Sequence, residues 1–65
     1  RDLTPLQREV LGVIGETGVV ALSDIRQRLA RPVASRTLQE TLSALRTLGL
    51  VASSGRGRGA RWHLP

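Results

Sequence analysis

The residues best suited to chemistry are the arginines and glycines near the end of the chain. The segment Gly55–Gly59 alternates glycine with Arg56 and Arg58, and Arg61 and His63 follow shortly after it. Guanidinium groups neutralise phosphates, and glycine allows two backbones to approach closely. The spacing therefore predicts a cationic loop that contacts a phosphate backbone.

The same segment does not have the context of a nucleotide-binding glycine loop, which must follow a strand and open a helix. Six residues remain after Gly59, and they alternate as a strand does, with Trp62 and Leu64 on one face and His63 on the other. We expect strands at about 50–53 and 60–64, joined by an Arg/Gly loop at 54–59.

Charge is distributed unevenly along the 65 residues, whose net charge is +5. Residues 1–24 carry two arginines and four acids, whereas residues 25–65 carry eight arginines and Glu40 as their one acid. All ten basic residues are arginine. A compositional bias can explain that choice, but it does not explain the loss of acids from the second half. A basic half indicates a polyanionic partner.

Several kinds of site are excluded by the residues that the chain lacks. Without cysteine there is no disulfide framework and no thiolate metal site, and a single histidine cannot hold zinc alone. Asp2 and Asp24 are isolated from any plausible base or nucleophile. We therefore expect no enzymatic activity, no cofactor and no metal.

Length and hydropathy suggest one small domain, residues 1–65, taken from a longer protein because the chain starts at Arg1 rather than Met. No apolar run approaches the roughly 18 residues of a membrane span, and no signal peptide is visible. We expect a cytoplasmic protein with no membrane partner.

Three helices are expected, at about 5–17, 22–30 and 35–48. Thr4 can cap the first and form a capping box with Gln7, and Gly18 can end it. Pro32 disfavours helix at the residue before it, and Ala34 or Ser35 begins the third helix, which Gly49 ends. A short apolar run at 19–21 predicts a strand. The predicted core comprises Leu6, Val10, Ile14, Ile25, Leu29, Leu38, Leu42, Leu45 and Trp62.

Two glycines lie inside the first predicted helix. Gly12 and Gly15 each weaken a helix by about 1 kcal/mol relative to alanine. This cost indicates either close packing against a neighbouring element or the high glycine usage of the chain.

The order of these elements resembles the winged helix-turn-helix superfamily over essentially the whole chain. The segment Ser35–Val51 carries the resemblance, with a polar helix start, spaced leucines and Leu-Gly-Leu-Val before the wing, as in many bacterial regulators. The resemblance implies an α+β, mainly α fold of three helices and a C-terminal β-hairpin wing. It also implies binding of double-stranded DNA in transcription regulation.

In the superfamily the third helix enters the major groove, and this implies roles for its exposed residues. Arg36 can bind guanine through two hydrogen bonds and Gln39 can bind adenine, with Ser43 as a third base-reading candidate. The alternative for Arg36 is a surface pair with Glu40. The candidates for backbone contacts are Ser35, Arg46, Arg56, Arg58, Arg61 and His63.

Other partners remain open at this point. The ending Trp62-His63-Leu64 resembles domains that bind left-handed Z-form nucleic acid. Gln39 and Ser43 stand where those domains carry Asn and Tyr, and no proline pair precedes Trp62, so this mode is disfavoured. A winged helix can also bind structured RNA or a protein, the latter through an exposed apolar patch such as Leu11, Val33 and Val51. The sequence leaves open whether the protein is a homodimer or contacts other domains of its parent.

Overall fold

A computed structural model describes residues 2–55 and 59–65, and in them three helices precede a two-stranded antiparallel hairpin. The elements are α1 Pro5–Thr17, α2 Leu22–Arg28, α3 Ser35–Thr47, β1 Ala52–Ser54 and β2 Arg61–His63. This architecture confirms the winged-helix fold expected from the sequence. None of the described helices is long and apolar enough to cross a membrane.

The start of α1 is fixed by a capping box. The Gln7 backbone N–H donates to Thr4 Oγ1 at 3.1 Å, and the Thr4 N–H donates to Gln7 Oε1 at 2.9 Å. At the other end Gly18 adopts φ 87°, a positive value that favours glycine, and its N–H donates to the Ile14 carbonyl. Both predicted ends of α1 are confirmed.

The second helix is shorter than expected, because it ends at Arg28 and Leu29 is already extended. This turn directs the Leu29 side chain into the core. It also frees the Ala30 N–H, which donates to Glu9 Oε2 on α1 at 2.6 Å. A long-range hydrogen bond thus replaces the helical one, and the carboxylate ties α1 to the turn between α2 and α3.

The third helix ends in a Schellman motif. The Gly49 N–H donates to the Arg46 carbonyl at 2.9 Å, and the Leu50 N–H donates to the Leu45 carbonyl at 3.0 Å. Gly49 has φ 79°, which favours glycine. Because Leu50 closes this motif, β1 begins at Ala52 and not at residue 50 as expected.

The core lies where one face of each helix meets the base of the hairpin. Two residues of the predicted core, Leu6 and Trp62, are half-buried and pack against the buried cluster. Three valines that the prediction did not include are buried: Val13, Val20 and Val51. The remaining predicted core residues are buried, namely Val10, Ile14, Ile25, Leu29, Leu38, Leu42 and Leu45.

The hairpin is joined to the helices through Trp62. The predicted strand at 19–21 is reduced to a single bridge, in which Val20 and Trp62 exchange two backbone hydrogen bonds of 2.9 and 2.8 Å. On its other edge β2 pairs with β1, with Ser53 opposite Trp62. The predicted strand at 60–64 is likewise shorter, at Arg61–His63. One short strand therefore fixes the hairpin against the helical body.

Gly12 and Gly15 do not mark close packing, because a Cβ built at either position meets no neighbouring atom within 4 Å. The glycine-usage alternative is the one that agrees with the structure. Gly55 is different, since the Cβ of any other residue at this position would lie 2.7 Å from the Gly59 carbonyl oxygen. The two ends of the Arg/Gly loop therefore meet closely at a neck that only glycine allows.

The same substitution should have opposite effects at two glycines. Gly49→Ala places a side chain at positive φ and should lower the free energy of unfolding by about 1 kcal/mol. Gly15→Ala, the matched control on an open helix face, should raise it by about 0.5–1 kcal/mol. Urea denaturation followed by far-UV circular dichroism measures both. Equal changes of the same sign would contradict this account of the helix ends.

Candidate nucleic-acid interface

The outer face of α3 carries a polar stripe of four residues. These residues are spaced three, four and three positions apart along α3, and all of them are exposed: Arg36, Gln39, Ser43 and Arg46. Such intervals place side chains on one helix face. The opposite face buries its leucines, so packing fixes the direction in which this stripe points. We call these four residues the α3 stripe.

A groove beside the α3 stripe is lined by residues of α2, α3 and the hairpin. Ser35 and Gln39 border it from α3, while Ala60 and Trp62 border it from the hairpin. The N-cap and first turns of α2 complete its lining, with Ala21, Leu22, Ser23 and Arg26. The structure therefore brings the predicted base-reading helix and the predicted wing to the two sides of one depression.

The beginning of α3 presents unpaired backbone donors. Ala34 occupies the N-cap with no side-chain hydrogen bond, so Ser35 is the first helical residue. The first N–H groups of a helix lack partners within it. They lie next to the half-buried Ser35 and the exposed Arg36. A helix start of this kind favours an anion.

Arg36 has the surface partner expected as its alternative role. Its Nε lies 3.7 Å from Glu40 Oε2, with the two side chains 90% and 70% exposed. An ion pair this exposed contributes about 0–1 kcal/mol and exchanges readily for another partner. The pair does not prevent Arg36 from reaching a ligand.

Arg46 is engaged within the protein. Its Nη1 donates to Ser53 Oγ at 3.1 Å, and its guanidinium carbon lies 5.7 Å from the centroid of the Trp62 ring. That distance is within the range of a cation–π contact. Arg46 thus links the last turn of α3 to both strands of the hairpin.

The hairpin residues predicted to contact a phosphate backbone differ in their placement. Arg61 is exposed, and its Nη1 donates to the Ala60 carbonyl at 3.2 Å. His63 is half-buried, with Nδ1 2.9 Å from the Leu64 carbonyl oxygen. Arg56 and Arg58 lie outside the described residues, so their predicted role rests on sequence alone.

Arg26 is a residue of this surface that sequence reasoning missed. It is exposed on α2, its Nε donates to the Val33 carbonyl at 3.3 Å, and it borders the groove. The signal was present in the helical spacing, because Leu22, Ile25 and Leu29 define the inner face and leave Arg26 outside it. The placement of α2 against the groove was not readable from the sequence.

No metal centre is found in residues 2–55 and 59–65, where no group of three or more histidine and carboxylate side chains could hold an ion. The apolar patch considered for a protein partner is also absent there. Val51 is buried, and Leu11 and Val33 pack against the core. The large apolar residues that are exposed are Val19, Leu48, Leu50 and Leu64.

The three helices and the C-terminal hairpin define a winged-helix domain, of the DNA-binding kind used in transcription regulation. The chain belongs to the penicillinase repressor family, whose sequence profile matches residues 3–64.

It is also similar to a solved structure described as the complex structure of hsRosR-S4, with a TM-score of 0.87 and 28% sequence identity. That likeness covers 100% of this chain and 60% of the other, so the chain spans about three fifths of the length of that solved chain. A search of curated proteins gave no match.

Glu40 should oppose DNA binding without supporting the fold. Glu40→Gln should raise the affinity for duplex DNA about two- to fivefold, because it removes a negative charge beside Arg36 and frees the guanidinium. The free energy of unfolding should change by less than about 0.5 kcal/mol. Fluorescence anisotropy with labelled DNA measures the first effect, and Glu16→Gln on α1 is the control. A loss of affinity would indicate that Glu40 itself accepts a hydrogen bond from a base.

Proposed function

We propose that the domain binds double-stranded DNA with α3 in the major groove and the hairpin against the neighbouring backbone. The supporting observation is that Gln39 of the α3 stripe and Trp62 of β2 border the same groove, which brings the two elements close enough for one duplex to meet both. An α-helix fits the width of the major groove, where each base pair presents a distinct pattern of donors and acceptors.

Base reading is assigned to the first two turns of α3. Arg36 offers two donors to guanine O6 and N7, and Gln39 offers a donor and an acceptor to adenine. Ser43 lies on the same stripe one turn further and can bond to either kind of base. Residues near the N-terminus of a recognition helix usually contact the base edges.

Backbone contacts are assigned to groups that flank the α3 stripe. Ser35 and the free N–H groups at the start of α3 suit one phosphate on one side. Arg61 and His63 suit phosphates on the other, together with Arg56 and Arg58 in the loop. Such contacts fix the register of the protein on DNA while the bases determine sequence preference.

We infer that the parent protein is a transcription regulator, since the chain belongs to a family named for the penicillinase repressor. In that role the domain would bring the rest of the protein to chosen DNA sites. Contacts with a second copy or with other domains would come from surfaces outside the α3 stripe.

Salt dependence tests the proposal most simply. With about four to six phosphates engaged, the logarithm of affinity should fall against that of salt concentration with a slope of about −4 to −5. Replacing Arg56 and Arg58 together by alanine should make the slope shallower by about two units. A salt-insensitive isotherm, or hairpin RNA that competes better than duplex DNA, would contradict the proposal.

Sequence preference tests the assignment of the α3 stripe. Once a preferred duplex has been selected from a random library, Arg36→Ala and Gln39→Ala should each weaken binding to it by about 1–3 kcal/mol. Binding of Gln39→Ala to a scrambled duplex should be nearly unchanged, because the glutamine carries no charge. Equal losses on both duplexes would show that Gln39 does not read bases.

A further inference from the structure

We propose that Arg46 is a positioning residue that holds the hairpin at a fixed angle to α3, and that it does not itself contact a DNA phosphate. This inference rests on the proposed function, because the geometry that Arg46 fixes is the one in which duplex DNA would meet both elements. It assigns Arg46 a different role from the other exposed arginines of the basic surface.

The first argument is the cross-strand arrangement of its two partners. Ser53 on β1 and Trp62 on β2 are directly opposite in the hairpin register. Directly opposed residues of an antiparallel pair project from the same face. One guanidinium therefore bonds to one strand and covers the aromatic ring of the other. A contact to both strands restrains the tilt of the hairpin, which a contact to one strand would not.

The second argument concerns the polar contacts that join the hairpin to the helices. Each strand has three residues, and within the described part of the chain one backbone bridge, from Trp62 to Val20, joins the hairpin to the helical body, beside the packing of Trp62 and Val51 on the core. That bridge lies on the edge of β2 away from β1. Arg46 adds a side-chain hydrogen bond from α3 to Ser53 of β1, so it restrains the strand that the bridge does not reach.

The third argument is the chemistry of the guanidinium. A planar group can stack on an aromatic face and donate in its own plane at the same time, which an ammonium group cannot do equally well. Arginine at position 46 is thus required for the dual contact. A phosphate contact would need only positive charge, which lysine also carries.

This difference provides a test by conservative substitution. Arg46→Ala should weaken binding of duplex DNA about tenfold, consistent with losing one charged hydrogen bond and one cation–π contact. Arg46→Lys should remain about as weak, because it restores the charge without the dual contact. Recovery of affinity in Arg46→Lys would overturn the proposal in favour of a phosphate contact.

Two matched variants calibrate that comparison. Arg61→Ala should weaken binding, and Arg61→Lys should recover much of the loss, as expected for a phosphate contact. Arg8→Ala, at an exposed site on α1, should leave the affinity unchanged. All affinities are measured below the onset of unfolding of each variant, so that a loss of fold is not read as a loss of binding.

A double-mutant cycle with Ser53 gives an independent answer. Ser53→Ala should weaken DNA binding about threefold, because it removes one of the two contacts while keeping the Arg46 charge. The double variant should bind no more weakly than Arg46→Ala alone, since both changes break the same link. Strictly additive effects would overturn the proposal.

A measurement without DNA separates this inference from the proposed function. Nuclear Overhauser contacts between the Arg46 side chain and the Trp62 ring should be present in the free protein and be lost in Arg46→Ala. Their absence from the free protein would overturn the positioning role even where DNA binds. If these contacts are present but the protein binds no duplex DNA, the proposed function is contradicted, while the Arg46–Trp62 contact itself is confirmed.

Discussion

The arrangement of this small domain depends on Trp62. Its backbone exchanges two hydrogen bonds with Val20, its ring packs against the core, and its register partner on β1 is Ser53. A chain of this length buries only about 60% of its unfolded surface, so few contacts are available to fix each element. The hairpin therefore has a defined place beside α3 because several of those few contacts converge on one residue of β2.

From that constraint the organisation of the exposed surface follows. Buried leucines hold α3 with its polar stripe outward, and Trp62 holds the hairpin on the other side of the groove. The separation of the two elements is thereby set before any ligand arrives. Preorganisation of this kind lowers the ordering cost of association.

Local features were readable from the sequence because their causes lie within a few residues. The Thr4–Gln7 capping box, the Gly49 stop and the leucine spacing of α3 each depend on neighbours along the chain. Features set by distant partners were not readable. The early end of α2 depends on Glu9, 21 residues before Ala30, and the engagement of Arg46 depends on a ring in the last strand. The sequence identifies the charged residues but does not show which groups they contact in the folded protein.

The central claim is that the α3 stripe and the hairpin meet duplex DNA together. Titration of isotope-labelled protein with a duplex, followed by amide chemical shifts, tests it directly. The account predicts that the largest changes fall at Arg36, Gln39 and Arg61, while Gly15 and Glu16 on the exposed face of α1 change little. The account would be contradicted by chemical-shift changes concentrated on α1. It would also be contradicted by changes in the exposed Leu48–Leu50 segment while the amides of α3 are unaffected.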